Sequence, residues 1–128
     1  MISTTLEELT PLTGWMETLV KFVRSDQPDL TNRQLAILMM VYMTDAPHTV
    51  RGLAGKLAVS KPVVTRALNT LGALGFIRRK RDDSDLRNVF VERTTMGQAF
   101  LHSFAQLVEG SNFRSYMQPK QASETIRL

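Results

Sequence analysis

Apolar residues recur at helical spacing in five stretches of this chain and alternate in one. Leu12, Trp15, Met16, Leu19, Phe22 and Val23 form the first helical stripe. Thr10 followed by Pro11 reads as a cap with proline at the first helical position, so a helix is expected over 10–24. Ser25-Asp26-Gln27-Pro28 is turn chemistry and ends it. In the second stretch Thr31 and Gln34 have capping-box spacing, and Leu30 with Leu35 has the spacing of a hydrophobic staple. From there to Met43 nearly every face is apolar, which predicts a buried helix stopped by Asp45-Ala46-Pro47.

Thr49 is placed to cap a short third helix whose inner face is Val50, Leu53, Ala54 and Leu57. A tight turn at Ala58-Val59 leads to Ser60, the expected cap of a fourth helix over 60–74 with Val64, Leu68 and Leu71 inside. Pro62 falls in its first turn, where proline is tolerated, and Gly75 ends it. Two short strands around the polar tip Asp82-Asp83-Ser84-Asp85 predict a hairpin over 76–92, with Val89 and Val91 alternating in its second strand. Thr94 or Thr95 then opens a fifth helix carrying Phe100, Leu101, Phe104, Leu107 and Val108. The tail 111–128 holds Phe113, Tyr116 and Met117 without a firm period. Two helices, a helix-turn-helix, a hairpin and a last helix give a mainly α fold with a small β-hairpin wing. This is a winged helix-turn-helix flanked by N- and C-terminal helices.

At 128 residues the chain fits one domain, 1–128, with a core at about 31–93. The absence of cysteine excludes disulfides, thiolate metal sites and thiol chemistry. The longest apolar run, around Leu35 to Met43, is too short to span a bilayer, and no basic-then-apolar segment opens the chain, so a cytoplasmic location is expected. Charge sharpens this further. From Arg51 to Arg93 ten basic residues face four acids, a net +6 within a chain whose total is +4. A basic middle between mildly acidic ends points to a polyanionic partner.

A helix-turn-helix needs a small residue where its two helices approach, and Ala54 fills that position. With Val64, Leu68 and Leu71 docking the second helix, Ser60 at its start and Lys61, Pro62, Val63, Thr65, Arg66 and Asn69 on its outer side are the candidate contacts to double-stranded DNA.

The order and residues from Thr31 to about Leu107 resemble the MarR family of bacterial regulators. The likeness is carried by TVRGLAGKL, VSKPVVTRALNTL, LGFIRRKRD, the DLR of the hairpin and TTMGQAF, in that order. It implies that helix 60–74 enters the major groove and that Arg87 is a wing arginine for the minor groove, braced by Asp85. Arginine suits such narrow, electronegative grooves. It also implies phosphate contacts at Arg79, Lys80 and Arg81. Two features depart from the family pattern. The wing tip is acidic at Asp82, Asp83 and Asp85, and Leu86 stands where a polar residue is usual.

The first stripe and the last need more cover than a monomer of this length supplies, so 10–24 and 94–128 are expected to dimerise the chain. The resulting expectation is a homodimeric repressor reading an inverted repeat. The competing readings are a winged helix that docks on protein, or an architectural DNA binder without sequence preference. Family members commonly answer to small aromatic compounds, and Trp15, Met16, Met39 and Met43 are the candidate lining of such a pocket; adaptable core is their plainer reading. Arg87 with Asp85 also reads as a structural ion pair. His48 and His102 lie far apart without carboxylates nearby, so no metal is expected, and no cofactor motif or catalytic set is present. An enzyme is not expected.

Overall fold

All but one of the described α-helices begin where a side chain satisfies backbone N–H groups that the first turn leaves over; the exception continues directly from a 3-10 turn. The computed structural model describes residues 5–110. Thr5 starts α1 (Leu6–Leu9) through a capping box with Glu8. A 3-10 turn, Thr10–Leu12, leads into α2 (Thr13–Arg24). The start expected at Thr10 therefore moves: its hydroxyl donates back to the Leu6 carbonyl (3.1 Å) instead of capping the helix ahead. Thr31 caps α3 (Asn32–Met43), with Gln34 returning the bond, as the spacing predicts.

Thr49 caps α4 (Val50–Leu57) by accepting from the Gly52 N–H at 2.9 Å. Ala58 takes a left-handed conformation (φ 55°), which lets its N–H and that of Val59 close back on the end of α4. Ser60 then caps α5 (Lys61–Ala73), and Gly75, at φ 80°, turns the chain out of that helix. A Cβ at Gly75 would also sit 3.0 Å from the Met96 sulfur, so glycine serves both the turn and the packing. The strands are β2 (Ile77–Arg81) and β3 (Val89–Arg93), one residue later at each end than the hairpin expected over 76–92. A third strand, β1 (His48–Thr49), was not expected. It pairs antiparallel with β3, giving the order β1-β3-β2. Finally α6 (Thr95–Glu109) starts with the Thr94 hydroxyl accepting from the Gly97 N–H at 3.0 Å.

The chain divides into two compact units. The second, residues 30–101, holds the winged helix. Ile37, Leu38 and Val41 of α3, Leu53 of α4 and Val64, Leu68 and Leu71 of α5 are almost entirely buried. Each such side chain contributes roughly 1.5–3 kcal/mol of transfer free energy, so these few residues dominate the unit's stability. Phe76 stacks on Phe100 with centroids 4.5 Å apart. One polar knot ties the sheet to the helices: the Tyr42 hydroxyl donates toward the carbonyls of Phe76 (2.7 Å) and Thr94 (3.0 Å) and accepts from the Thr94 N–H (2.8 Å). Arg93 satisfies carbonyls at the end of α3, donating to Val41 O (2.8 Å) and Thr44 O (3.0 Å).

The first unit, residues 1–29 with 102–128, contributes α1, α2 and the end of α6. Its aromatic centre is Phe104, which meets Phe22 and Trp15 edge-on at 5.3 and 6.4 Å. The buried side of α2 is Gly14, Glu17, Thr18 and Phe22. Of the predicted stripe only Phe22 is buried, while Leu12, Trp15, Met16, Leu19 and Val23 face outward. The expected dimerisation segment 94–128 is described only as far as Gly110, and the tail 111–128 lies outside the described residues. No helix among the described residues is long and apolar enough to cross a membrane.

Candidate nucleic-acid interface

The helix-turn-helix exposes what its core does not use. Val64, Ala67, Leu68 and Leu71 bury one side of α5, which leaves Lys61, Pro62, Thr65, Arg66 and Asn69 exposed and Val63 half-buried. Ser60 caps the helix, its hydroxyl accepting from the Val63 N–H at 3.4 Å. Lys61, Pro62, Thr65 and Arg66 line a groove of about 540 Å³ together with Val50 and Arg51 of α4 and Arg87 and Val89 of the hairpin. Four of these eight lining residues are cationic and none is acidic. Such a concentration of one sign in a concave surface raises the local density of anions.

Arg51 was not among the residues singled out in the sequence. Its place in the first turn of α4, off the inner face of Leu53 and Ala54, is the available signal, because helical spacing turns it outward. The remaining expected contacts lie elsewhere on the unit. Arg79, Lys80 and Arg81 are all exposed along β2, whose one buried residue is Ile77. Asn69 and Arg79 meet: Arg79 Nη1 donates to Asn69 Oδ1 at 2.8 Å. Arg78 and Arg93 are also engaged within the fold. Arg78 pairs with Glu92 at 3.3 Å, and Arg93 holds the end of α3.

The wing tip is built by its acids. Asp82 accepts from the Ser84 N–H (2.9 Å), the Ser84 hydroxyl (2.7 Å) and the Asn88 amide (3.3 Å). Hydrogen bonds from Ser84 above all, and then Asn88, hold this carboxyl below its ordinary pKa and keep it anionic. Asp85 accepts from the Arg87 N–H at 3.1 Å and pairs with the Arg87 guanidinium at 3.1 Å. This ion pair is common to both expected readings of Asp85 and Arg87, the wing brace and the structural bridge. The Asn88 N–H closes a turn on the Asp85 carbonyl (2.9 Å), which puts Leu86 and Arg87 at its corner. Both side chains project into solvent.

The candidate effector residues are split between the units: Trp15 and Met16 belong to the first, Met39 and Met43 to the second. Trp15, Met16 and Met43 are exposed and Met39 is half-buried. His48 is buried, with Nε2 within 3.3 Å of the Thr44 hydroxyl and 3.2 Å of its carbonyl, and His102 is exposed on α6. Among the described residues no group of three His, Asp or Glu side chains is placed to hold a metal ion.

The MarR family profile matches residues 30–89, from just before α3 to the first residue of β3. No curated protein sequence matches the chain. Among solved structures, the chain is similar to transcriptional regulator Tm0710 from Thermotoga maritima. The identity is 24% and the TM-score 0.63, over 94% of this chain and 78% of that one. It is also similar to MepR of S. aureus in a DNA complex, at 24% identity and TM-score 0.61, over 88% and 83% of the two chains. A variant of MarR from E. coli complexed with operator DNA matches at 22% identity and TM-score 0.62, over 94% and 80%.

Proposed function

We propose, from the match of residues 30–89 to the MarR family profile, that the chain is a sequence-specific DNA-binding transcriptional regulator, a homodimeric repressor that reads an inverted repeat. The observation that carries this reading is the groove in which α4, α5 and the wing place Arg51, Lys61, Arg66 and Arg87 without a single acid. Helix α5 enters the major groove with Lys61, Thr65 and Arg66 toward base edges and phosphates. The wing follows the backbone, and Arg87, its guanidinium oriented by Asp85, reaches the adjacent minor groove. Arg51, from the first turn of α4, adds a phosphate contact that the sequence reading did not include.

The second half of the proposal rests on α2. A monomer that exposes Leu12 at 56% in the 3-10 turn, and Met16 at 53% and Val23 at 72% on α2, leaves apolar surface that a partner copy would cover. Two-fold pairing through 10–24 and the last helix presents two copies of α5, and the half-sites then lie about one DNA turn, roughly 10 base pairs, apart. Occupation of a promoter by such a dimer represses by exclusion. A small aromatic effector that alters the spacing of the two wings completes the regulatory cycle.

Selection of bound duplexes from a random pool at near-physiological salt tests the whole reading. An enriched inverted repeat with half-sites about 10 base pairs apart is the expected result. Salt-dependent binding without enrichment would replace it with an architectural role. No binding to any duplex would make the basic groove a protein-docking surface.

A further inference from the structure

Two side chains expected to touch DNA independently touch each other. Asn69 continues the ridge of Lys61 and Thr65 one turn further along α5, and it is exposed. Arg79 reaches over from β2, passing 3.9 Å from where a Cβ at Gly72 would stand, and its Nη1 donates to Asn69 Oδ1 at 2.8 Å. No side chain at position 72 blocks that path.

The bond changes what Asn69 can read. An asparagine recognises adenine by using both ends of its amide: the oxygen accepts from N6 and the nitrogen donates to N7. Here a guanidinium takes one of the two lone pairs of that oxygen and stands beside it with its remaining N–H groups. An adenine amino group approaching the second lone pair would meet those donors and the Asn69 amide N–H pair, so the edge offered to a base is donor-rich. A donor-rich edge matches guanine, whose major-groove face carries the N7 and O6 acceptors. It opposes adenine, whose N6 amino group would meet the N–H groups of the pair.

We propose that Arg79 sets the base preference of α5 by occupying the acceptor of Asn69, so that position 69 selects guanine over adenine. Arg79 is thus a positioning residue for Asn69, and its role differs from the phosphate contact that the resemblance implies. The proposal rests on the reading of α5 as the major-groove helix and deepens it.

The test is the random-duplex selection repeated with the full chain carrying Asn69→Ala, Arg79→Ala or Arg79→Lys. Both side chains are exposed, so thermal unfolding by circular dichroism is expected to stay close to wild type and to confirm that each variant folds. Asn69→Ala identifies the contacted base pair as the one whose preference collapses. At that pair the wild type is expected to favour guanine over adenine about ten-fold, the scale of one well-made base contact. Arg79→Ala frees the amide oxygen, and the ratio should fall to about one or invert toward adenine. Arg79→Lys keeps a donor within reach and should restore part of the guanine preference.

Arg79→Ala that weakens all sequences equally, with the ratio at this pair unchanged, would overturn the proposal and return Arg79 to a phosphate contact. So would a wild-type preference for adenine. Wild-type protein that binds duplexes without enrichment, or binds none, would remove the sequence-specific reading itself and this inference with it.

Discussion

Helices α2 and α5 are of similar length and each buries one side, yet they expose opposite chemistries. In α5 the periodic apolar residues Val64, Leu68 and Leu71 go inward and the outer face is polar and cationic. In α2 the buried side is Gly14, Glu17, Thr18 and Phe22, and the rest of the apolar stripe, Leu12, Met16 and Val23 above all, is what solvent meets. The physics of burial is the same in both. Under the proposed function, what differs is the partner each outer face meets: a polyanion for α5 and an apolar surface for α2. A helix whose hydrophobic period disagrees with its buried side has surface still to be covered, and that makes α2 the informative one.

Truncation of core leucines gives the largest expected contrast. Leu68→Ala should cost roughly 2–5 kcal/mol in thermal or denaturant unfolding, because Leu68 is fully buried and leaves a cavity. Leu19→Ala should change the unfolding of dilute monomer by no more than about 0.5 kcal/mol, while weakening self-association measured by sedimentation. Equal effects of Leu19→Ala on both readouts would show that α2 is covered within one chain.

Gly97→Ala comes next. A Cβ there would collide with the Tyr42 hydroxyl and the Phe76 carbonyl, the two partners that tie α3 to the turn before β2. Overpacking of this kind costs about 1–3 kcal/mol, and unfolding of the variant measures it. Loss of stability well below that range would mean that the Tyr42 knot gives way without cost.

The outer face of α5 is sharpened by Arg66→Ala beside Lys80→Ala. The first should cost about 1–3 kcal/mol on a selected site and less on random DNA. The second should weaken all duplexes about equally and lower the salt slope by about one. Equal, sequence-independent losses for both would remove Arg66 from the base-reading set.

The smallest effect belongs to the wing tip. Asp82 is held below its ordinary pKa by hydrogen bonds from Ser84 and Asn88, so its stabilising contribution is complete above the unfolded carboxylate value. That contribution is lost as pH falls through the lowered folded value. The protection of the Ser84 amide, its exchange rate relative to the intrinsic rate at the same pH, should therefore fall only in strongly acidic solution. Asp82→Asn should abolish this pH response, and a response that persists would place its origin elsewhere.

Much of the winged helix was legible because local signals agree with one another there. Thr31 with Gln34, Thr49 and Ser60 each announce a helix, and the period that follows each one matches the side that is buried. Strand β1 was missed because His48 and Thr49 form only two residues of ladder, too few to alternate. The start of α2 was misplaced because Thr10-Pro11 carries capping chemistry but sits inside a 3-10 turn that continues from α1. Which side of α2 packs within the chain was not legible, because periodicity follows hydrophobicity, and here Gly14, Glu17 and Thr18 pack inward beside Phe22. At the candidate site, Lys61, Thr65, Arg66 and Arg87 followed from outward spacing and resemblance. The place of Arg51 in the groove and the engagement of Asn69 by Arg79 depend on how α4, α5 and β2 come together, which no local pattern encodes.

The most direct test of the central claim is the salt dependence of duplex binding when Arg51, Lys61, Arg66 and Arg87 are changed to glutamine one at a time and together. Each phosphate contact removed should lower the slope of log Kobs against log salt concentration by about 0.9, and the combined variant should lose most of its affinity. Changing Arg24 and Arg33, which lie outside the groove, should leave the slope unaltered. A slope that falls equally for both sets would contradict the account, because binding would then follow the charge of the chain and not the groove formed by α4, α5 and the wing.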